Sequence, residues 1–420
     1  MKKVILVFLT LFIVTSASIF SNGLSLNSVG ARALGMGGAF VGLANDYSTI
    51  YWNPAGIGQL KGNYIGVFST DVIPLGTFKS EKPYVNTKTE VNHYISPNLM
   101  GYIGFEPLKD FTFGFGVYVP AGLGAEWNGA DMKAYSMGQE MIWKSKIAVV
   151  NISPAVSYKF SDDLSAGIAV NIFYGMFDLS RPETNDLLGV GQYKESSTGL
   201  GYGITVGALY KVNDMLSIGA SVRTKTKVTM SGNASNTLMP RVPLQNIPET
   251  TDFDRDVAWP LWIAGGIAIR PMPEWVITVD VQLSQWSKSE TEFDTKFKNE
   301  KWVSLTTPTG KNKFILNWKD ATQFRLGSEY ILTKDFTVRG GFYIDPAPAP
   351  DETYNILFPS ISYNGVAVGA SYSFSSFTID AGYEYLFGKD RVITTASDTK
   401  YNGTHGMDIP AVSLGIGYNF

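Results

Sequence analysis

The 420-residue chain carries 34 lysines and arginines against 37 aspartates and glutamates, a net charge of −3, and no cysteine. The missing cysteine excludes disulfides, metal thiolates and cysteine nucleophiles, and the near-neutral charge offers no footprint for nucleic acid. Hydrophobic residues make up 45%, yet no long apolar run follows the first residues, so a helical membrane protein is excluded as well.

In chain order, Lys2 and Lys3 precede an apolar run from Val4 to Val14, followed by Ser16, Ala17, Ser18 and Ser21. This is the layout of a signal peptide. The run is shorter than the roughly 20 residues a membrane helix needs. Residues 1–21 are therefore expected to be removed, with the cut after Ser18, Ser21 or Gly23.

Residues 22–60 do not read as strand. Glycines and small residues favour tight turns and close backbone approach, and Ala44-Asn45-Asp46 and Asn53-Pro54 are turn or cap signals. The Gly35–Gly38 stretch is a poor phosphate loop, because no strand precedes it and no GK[ST] follows. A compact segment ahead of the first strand is expected to fold into a barrel lumen as a plug, with 61–420 forming the barrel.

Period-two alternation then recurs. Candidate strands are 62–70, 98–106, 111–119, 150–160, 164–174, 200–211, 216–230, 258–270, 274–286, 321–331, 335–344, 361–374, 377–387 and 410–420. In 216–230, Leu216, Ile218, Ala220, Val222, Val228 and Met230 are read on one face, with Arg223, Lys225 and Lys227 on the other. A one-residue slip would turn three cations to the apolar side, and each costs about 2–4 kcal/mol at a bilayer midplane. The last strand places Val412, Leu414, Ile416, Tyr418 and Phe420 on one face, a terminal aromatic included.

Short links at Lys109-Asp110, 161–163, Asn213-Asp214, 271–273, 333–335 and Ser375-Ser376 alternate with long ones near 71–97, 120–146, 177–199, 232–257, 287–320, 345–360 and 388–409. Short periplasmic turns and long outer loops are the outer-membrane pattern. The expected fold is all-β, a transmembrane antiparallel barrel of about fourteen strands with an N-terminal plug.

The segment around Asn53-Pro54-Ala55 resembles the FadL family of outer-membrane long-chain fatty-acid transporters. So do PNLMGYIGFEP at 97–107, VPAGLG at 119–124, SQWS at 284–287, WKDATQFRLG at 318–327, FTVRGGFYIDPAPAP at 336–350 and the aromatic C-terminus. The resemblance implies fourteen strands, an N-terminal hatch, capture of a hydrophobic ligand by outer loops, an apolar lumen pocket, and sideways release through a kink in the third strand. Mapped here, the hatch is 22–60 and the third strand is 111–122, with Pro120 and Gly122 at the kink. Pro120 could equally end that strand at its loop. Asn53, Pro54 and Ala55 would face the kink, or form an ordinary turn.

Lumen-side pocket candidates by parity are Phe173, Leu209, Trp262, Trp286 and Tyr343; packing within the lumen is the plainer reading of each. For a carboxylate head group the family pattern implies a cation after the fifth strand, where Arg181 stands, although a solvated loop charge fits too. At the family's second cation position this chain has Phe314, with Lys313 beside it, and some relatives carry aromatic hydrocarbons that need no such cation.

The expected partners are a long-chain fatty acid or another hydrophobic small molecule, and outer-membrane lipid. Passive movement is expected, by a monomer without cofactor or metal. A hydrolase would need a histidine beside a serine, and the two histidines, His93 and His405, fall in expected outer loops. A general porin would keep an open polar lumen. A related barrel acting as a scaffold or secretion shuttle would use its loops to bind protein.

Overall fold

The computed structural model describes residues 23–420 apart from 27 and 290; the expected signal peptide lies outside the described residues. Fourteen antiparallel strands close into one barrel. They are β1 (Tyr64–Val72), β2 (Tyr94–Gly104), β3 (Phe111–Trp127), β4 (Trp143–Lys159), β5 (Leu164–Asn185), β6 (Gly189–Asn213), β7 (Leu216–Arg223, resuming at Thr226–Asn236) and β8 (Thr250–Trp259, resuming at Trp262–Met272). The circle continues with β9 (Trp275–Ser284), β10 (Ala321–Ile331), β11 (Phe336–Asp345), β12 (Tyr363–Phe374), β13 (Phe377–Phe387) and β14 (Gly403–Asn419). β14 pairs back onto β1, from Tyr64 against Asn419 to Val72 against Ala411. Closure removes the free edges that an open sheet would expose to lipid.

The outward face is apolar in the lower half. On β6, Leu200, Tyr202, Ile204, Val206 and Tyr210 are exposed, and on β14 Val412, Leu414, Ile416 and Tyr418. Apart from Leu209, the inward residues between them are small or polar, as lipid outside and a packed lumen inside require.

Residues 24–26 and 28–60 pack against the inner side of the wall. They form a short helix α1 (Ala31–Gly35), a second helix α2 (Thr49–Trp52) and a 3₁₀ turn (Pro54–Gln59). Their aromatic and aliphatic side chains, Phe40, Val41, Ile50, Tyr51, Trp52 and Ile57, pack together and against Phe68, Tyr118 and Trp262 of the wall. Backbone polar groups of this irregular segment are met by the wall. Asp280 accepts from Val41 N–H at 2.8 Å, Arg325 donates to the Gly37 carbonyl at 2.7 Å, and Ser217 donates to the Gly42 carbonyl at 2.9 Å. An ionic group adds to these. Arg32 forms a two-pronged bond to Glu329, both contacts at 2.7 Å, and Arg339 reaches Glu329 at 2.6 Å and Asp380 at 3.2 Å. A Cβ on Gly42 would sit 2.5 Å from the Gly266–Ile267 backbone, so only glycine lets the segment lie this close to β8.

Three expectations need correction. Residues 216–230 are not one strand with a single apolar face. The strand breaks at Thr224-Lys225 and the faces exchange, so Val228 and Met230 are buried inside while Lys227 is turned out to Asp256 at 3.2 Å. β8 breaks at the same level, between Trp259 and Trp262. The expected long link at 177–199 is instead an extension of the β5–β6 hairpin, paired as far as Asn185 and Gly189. Finally, His405 lies on β14 rather than in a loop.

Candidate functional site

Above the lipid-facing band the wall continues and its chemistry inverts. The outer face becomes polar, with Asp252, Asp254 and Asp256 bonded across the ladder by Asn233, Ser231 and Thr229. The inner face becomes apolar. Phe173, Phe177, Val228, Met230, Phe253, Trp259 and Trp286 join Phe293, Trp302 and Phe358 from the outer loops in one buried cluster. Phe177 lies 5.9 Å from Phe358 and 6.1 Å from Phe293, and Phe173 meets Trp259 edge-on at 6.0 Å.

Two ionic groups enter this apolar region. Arg255 and Glu195 are fully buried and joined by bonds of 2.5 and 2.9 Å. Tyr193 donates to the same carboxylate at 2.5 Å, and Thr295 accepts from Arg255. The Arg255 guanidinium lies over Phe177 and Phe253. The second group is Arg181, Glu183 and Lys311. Arg181 contacts Glu183 at 2.6 Å, with its guanidinium over the Tyr193 and Phe314 rings at 5.0 and 5.4 Å, and Lys311 approaches Glu183 at 3.6 Å. Lys400 stands in the neighbouring loop. Burial alone would lower its ammonium, but Tyr401 and Asp398 outweigh it and hold the group above its ordinary value.

The residues expected at the site are distributed as follows. Phe173 and Trp286 belong to the upper apolar cluster. Trp262 packs on the inner segment, Tyr343 belongs to a separate cluster with Ile361 and Leu386, and Leu209 touches Ala44 and Ala55 near the periplasmic end. Arg181 lies on β5 itself, because that strand runs to Asn185. Lys313 and Phe314 alternate on a small hairpin in which Phe293 pairs with Phe314. Phe314 turns inward to Arg181 and Phe358, and Lys313 turns out to Glu292 at 2.8 Å. Sequence reasoning missed Lys311, Glu183 and the Glu195–Arg255 pair. Only the inward parity of Glu195 and Arg255, an acid and a base on neighbouring apolar faces, could have flagged them.

The third strand is irregular where Pro120 and Gly122 stand. Its ladder with β2 stops at Leu99–Val117, while its ladder with β4 shifts by one residue between Tyr118 and Ala121, a β-bulge. Pro120 therefore does not end the strand, which continues to Trp127. Asn98 accepts from Val119 N–H at 2.8 Å in place of a ladder bond. Further up, contact resumes at Thr89–Trp127. The interval between β2 and β3 is a window in the ladder, backed from inside by residues 24–26: Leu26 N–H donates to Pro120 and Gly122 N–H donates to Leu24, each at 3.0 Å. Asn53, Pro54 and Ala55 face a different part of the wall. Asn53 donates to the Ala208 carbonyl at 3.0 Å, and the Ala55 carbonyl accepts from Ser157 and Ser165.

Both histidines are engaged. His93 contacts Asp71 at 2.6 Å, and His405 is buried against Phe78 and Tyr354 with its Nε2 bonded to the Tyr401 carbonyl.

A closed fourteen-strand barrel with an apolar outer band below and an apolar inner face above defines a class of outer-membrane protein. Within it, a family model described as outer membrane protein transport protein (OMPP1/FadL/TodX) matches residues 12–420, and the chain belongs to that family. It is 22% identical to the long-chain fatty acid transport protein of Salmonella typhi, over 90% of each chain, and 24% identical to the 47 kDa outer membrane protein of Pasteurella multocida, over 84% of this chain and 85% of that one. The fold resembles the crystal structure of a Pseudomonas aeruginosa FadL homologue, with a TM-score of 0.78 and 15% identity over 95% of this chain and 100% of that chain. It also resembles the Pseudomonas putida toluene transporter TodX, with a TM-score of 0.73 and 16% identity over 96% and 100%.

Proposed function

We propose that this protein carries hydrophobic compounds, long-chain fatty acids foremost, passively across the outer membrane. The observation that carries the reading is the inversion of the wall: above the lipid band the lumen is lined by buried aromatic and aliphatic side chains, while the exterior is polar. A hydrocarbon leaving water gains about 0.8 kcal/mol per buried methylene, so such a lumen draws it off the outer surface. Residues 24–60 act as the hatch beneath. Sideways release runs through the window between β2 and β3 at Pro120–Gly122, where the inner residues 24–26 are the movable cover.

The carboxylate preference rests on a charge count at one spot. Arg181 and Lys311 share the single carboxylate of Glu183, which leaves one positive charge over for a ligand oxyanion. Lys313, held outward by Glu292, contributes at a distance at most. The close pairing of Arg181 with Glu183 favours a second reading, a neutral aromatic hydrocarbon on the same apolar lining. The names of relatives include both fatty-acid and toluene transporters.

The test is binding of a long-chain fatty acid and of toluene to the detergent-folded protein and its Arg181→Ala variant. Saturable fatty-acid binding weakened by the substitution supports the first reading. Toluene binding alone supports the second. Saturable binding of neither removes transport and leaves a barrel that binds protein through its loops.

A further inference from the structure

At the opposite end of the barrel from Arg181, a cavity of 390 Å³ lies between the inner segment and the wall. Leu43, Ala44, Leu60 and Leu209 form its apolar floor, and Arg270 stands among its polar residues. None of its lining residues belongs to the upper apolar cluster. Its mouth carries Lys211 and Asp214, which flank the β6–β7 turn and so face the periplasm. The volume lies within the roughly 300–1,000 Å³ of small-molecule pockets.

The charged side chains around the cavity are mostly held in direct ion pairs; Arg270 is not, and Glu329 acts on it only at a distance. Lys211 is paired with Asp214 at 2.9 Å, and Arg32 nearby is held by Glu329 at 2.7 Å and Asp46 at 3.6 Å. Arg270 shares the inward face of β8 with Trp262, Ala264 and Ala268. Its backbone N–H bonds to Met215, but among the described residues its guanidinium has no ion-pair partner. A partly buried guanidinium is a strong, always charged donor set for a carboxylate. Placed beside an apolar floor, it fits a ligand with an anionic head and one short tail.

We propose that this cavity is a binding site for the carboxylate of a single-tailed amphiphile arriving from the periplasm, with Arg270 as its anion partner and Leu43, Leu60 and Leu209 around its tail. The site does not depend on the head-group reading at Arg181, because it shares no residue with the upper lumen. Half its walls belong to the inner segment and half to the barrel, so an occupant also ties the two together.

The experiment titrates decanoate, ¹³C-labelled at the carboxyl, into the full chain in a neutral detergent. Wild type is compared with Arg270→Gln, Arg270→Lys and Arg181→Ala. Each end of the barrel should give its own bound carboxylate signal: the cavity's should weaken about tenfold or more in Arg270→Gln and persist in Arg270→Lys, while Arg181→Ala should weaken only the signal of the outer site. In crystals soaked with 10-bromodecanoate, anomalous bromine density should fall near Leu60 and Leu209, and 1-bromodecane should give markedly less. The proposal is overturned if no bound signal weakens in Arg270→Gln, if Arg270→Lys loses the cavity's signal in a barrel that remains folded, if the bromine lies only elsewhere, or if the neutral bromide fills the cavity equally. A signal lost in Arg181→Ala alone would instead belong to the outer site.

Discussion

The lower and upper halves of this barrel use one ladder with opposite chemistry. Below, the exterior is apolar and the inner face of the wall mostly small or polar, met by an inner segment that is hydrogen-bonded to it and packed on Phe68, Tyr118 and Trp262. Above, the exterior is a lattice of aspartates, lysines and hydroxyls, and the interior is an aromatic core. On β5 the change is gradual: inward Asn171 is followed by Phe173, Phe177 and Leu179. On β7 and β8 it is abrupt, made by a break that exchanges the two faces. The difference teaches that strand alternation reports contrast between two faces, and the solvent decides which face is the apolar one.

The largest effect should come from the charge pair in the upper core. Arg255→Met leaves Glu195 buried without its partner and is expected to cost about 3–5 kcal/mol, whereas removing both charges with apolar residues of similar volume should recover most of that. Denaturant unfolding of the single and double variants checks this. An equal loss in both would mean that the upper interior is polar after all.

Next comes a pair of lysine substitutions on the outward face of one strand. Val206→Lys, in the lipid band, should cost about 2–4 kcal/mol in bilayers, while Ser196→Lys, ten residues up on the same face of β6, should stay within about 0.5 kcal/mol. Equal costs in vesicle unfolding would abolish the boundary between the halves.

Packing of the inner segment supplies a third test. Gly42→Val forces side-chain atoms into the Gly266–Ile267 backbone and should cost about 1–3 kcal/mol by overpacking. The segment should loosen while the wall stays intact, read as faster proteolysis within residues 28–60. Smallest is the ligand effect. Arg181→Ala should weaken fatty-acid binding about tenfold, or roughly 1.4 kcal/mol, and Lys313→Ala should leave the binding isotherm unchanged.

Much of the lower half was legible in the sequence, because lipid demands an unbroken apolar face and the short turns between strands punctuate it. The C-terminal strand, read from Val412 to Phe420, pairs as that pattern requires. Legibility failed where the solvent changed. Val228 and Met230 looked like a continuation of the Leu216–Val222 face, since nothing in the residue types marks the exchange at Thr224-Lys225. Residues 177–199 looked like a loop because their outward side chains, Asp178, Lys194 and Ser196, are polar. The family pattern drew attention to Arg181, but the partners that set its charge, Glu183 and Lys311, are brought together by the fold across more than a hundred residues. The orientation of Lys313 and Phe314 depends on a hairpin pairing with 292–294, which no local pattern reveals.

The window between β2 and β3 has a mechanical consequence. Other neighbouring strands are fastened along long ladders, the β5–β6 pair from Leu164 to Asn185. At the window the fastening is a side chain, Asn98, and two backbone bonds from residues 24 and 26. A typical intramolecular hydrogen bond contributes about 0.5–1.5 kcal/mol net, so only a few kcal/mol hold this stretch of the circumference shut. Under lateral strain in the membrane, this stretch of the cylinder is a built-in seam, stitched by one side chain of β2 and by the short N-terminal segment rather than by a ladder.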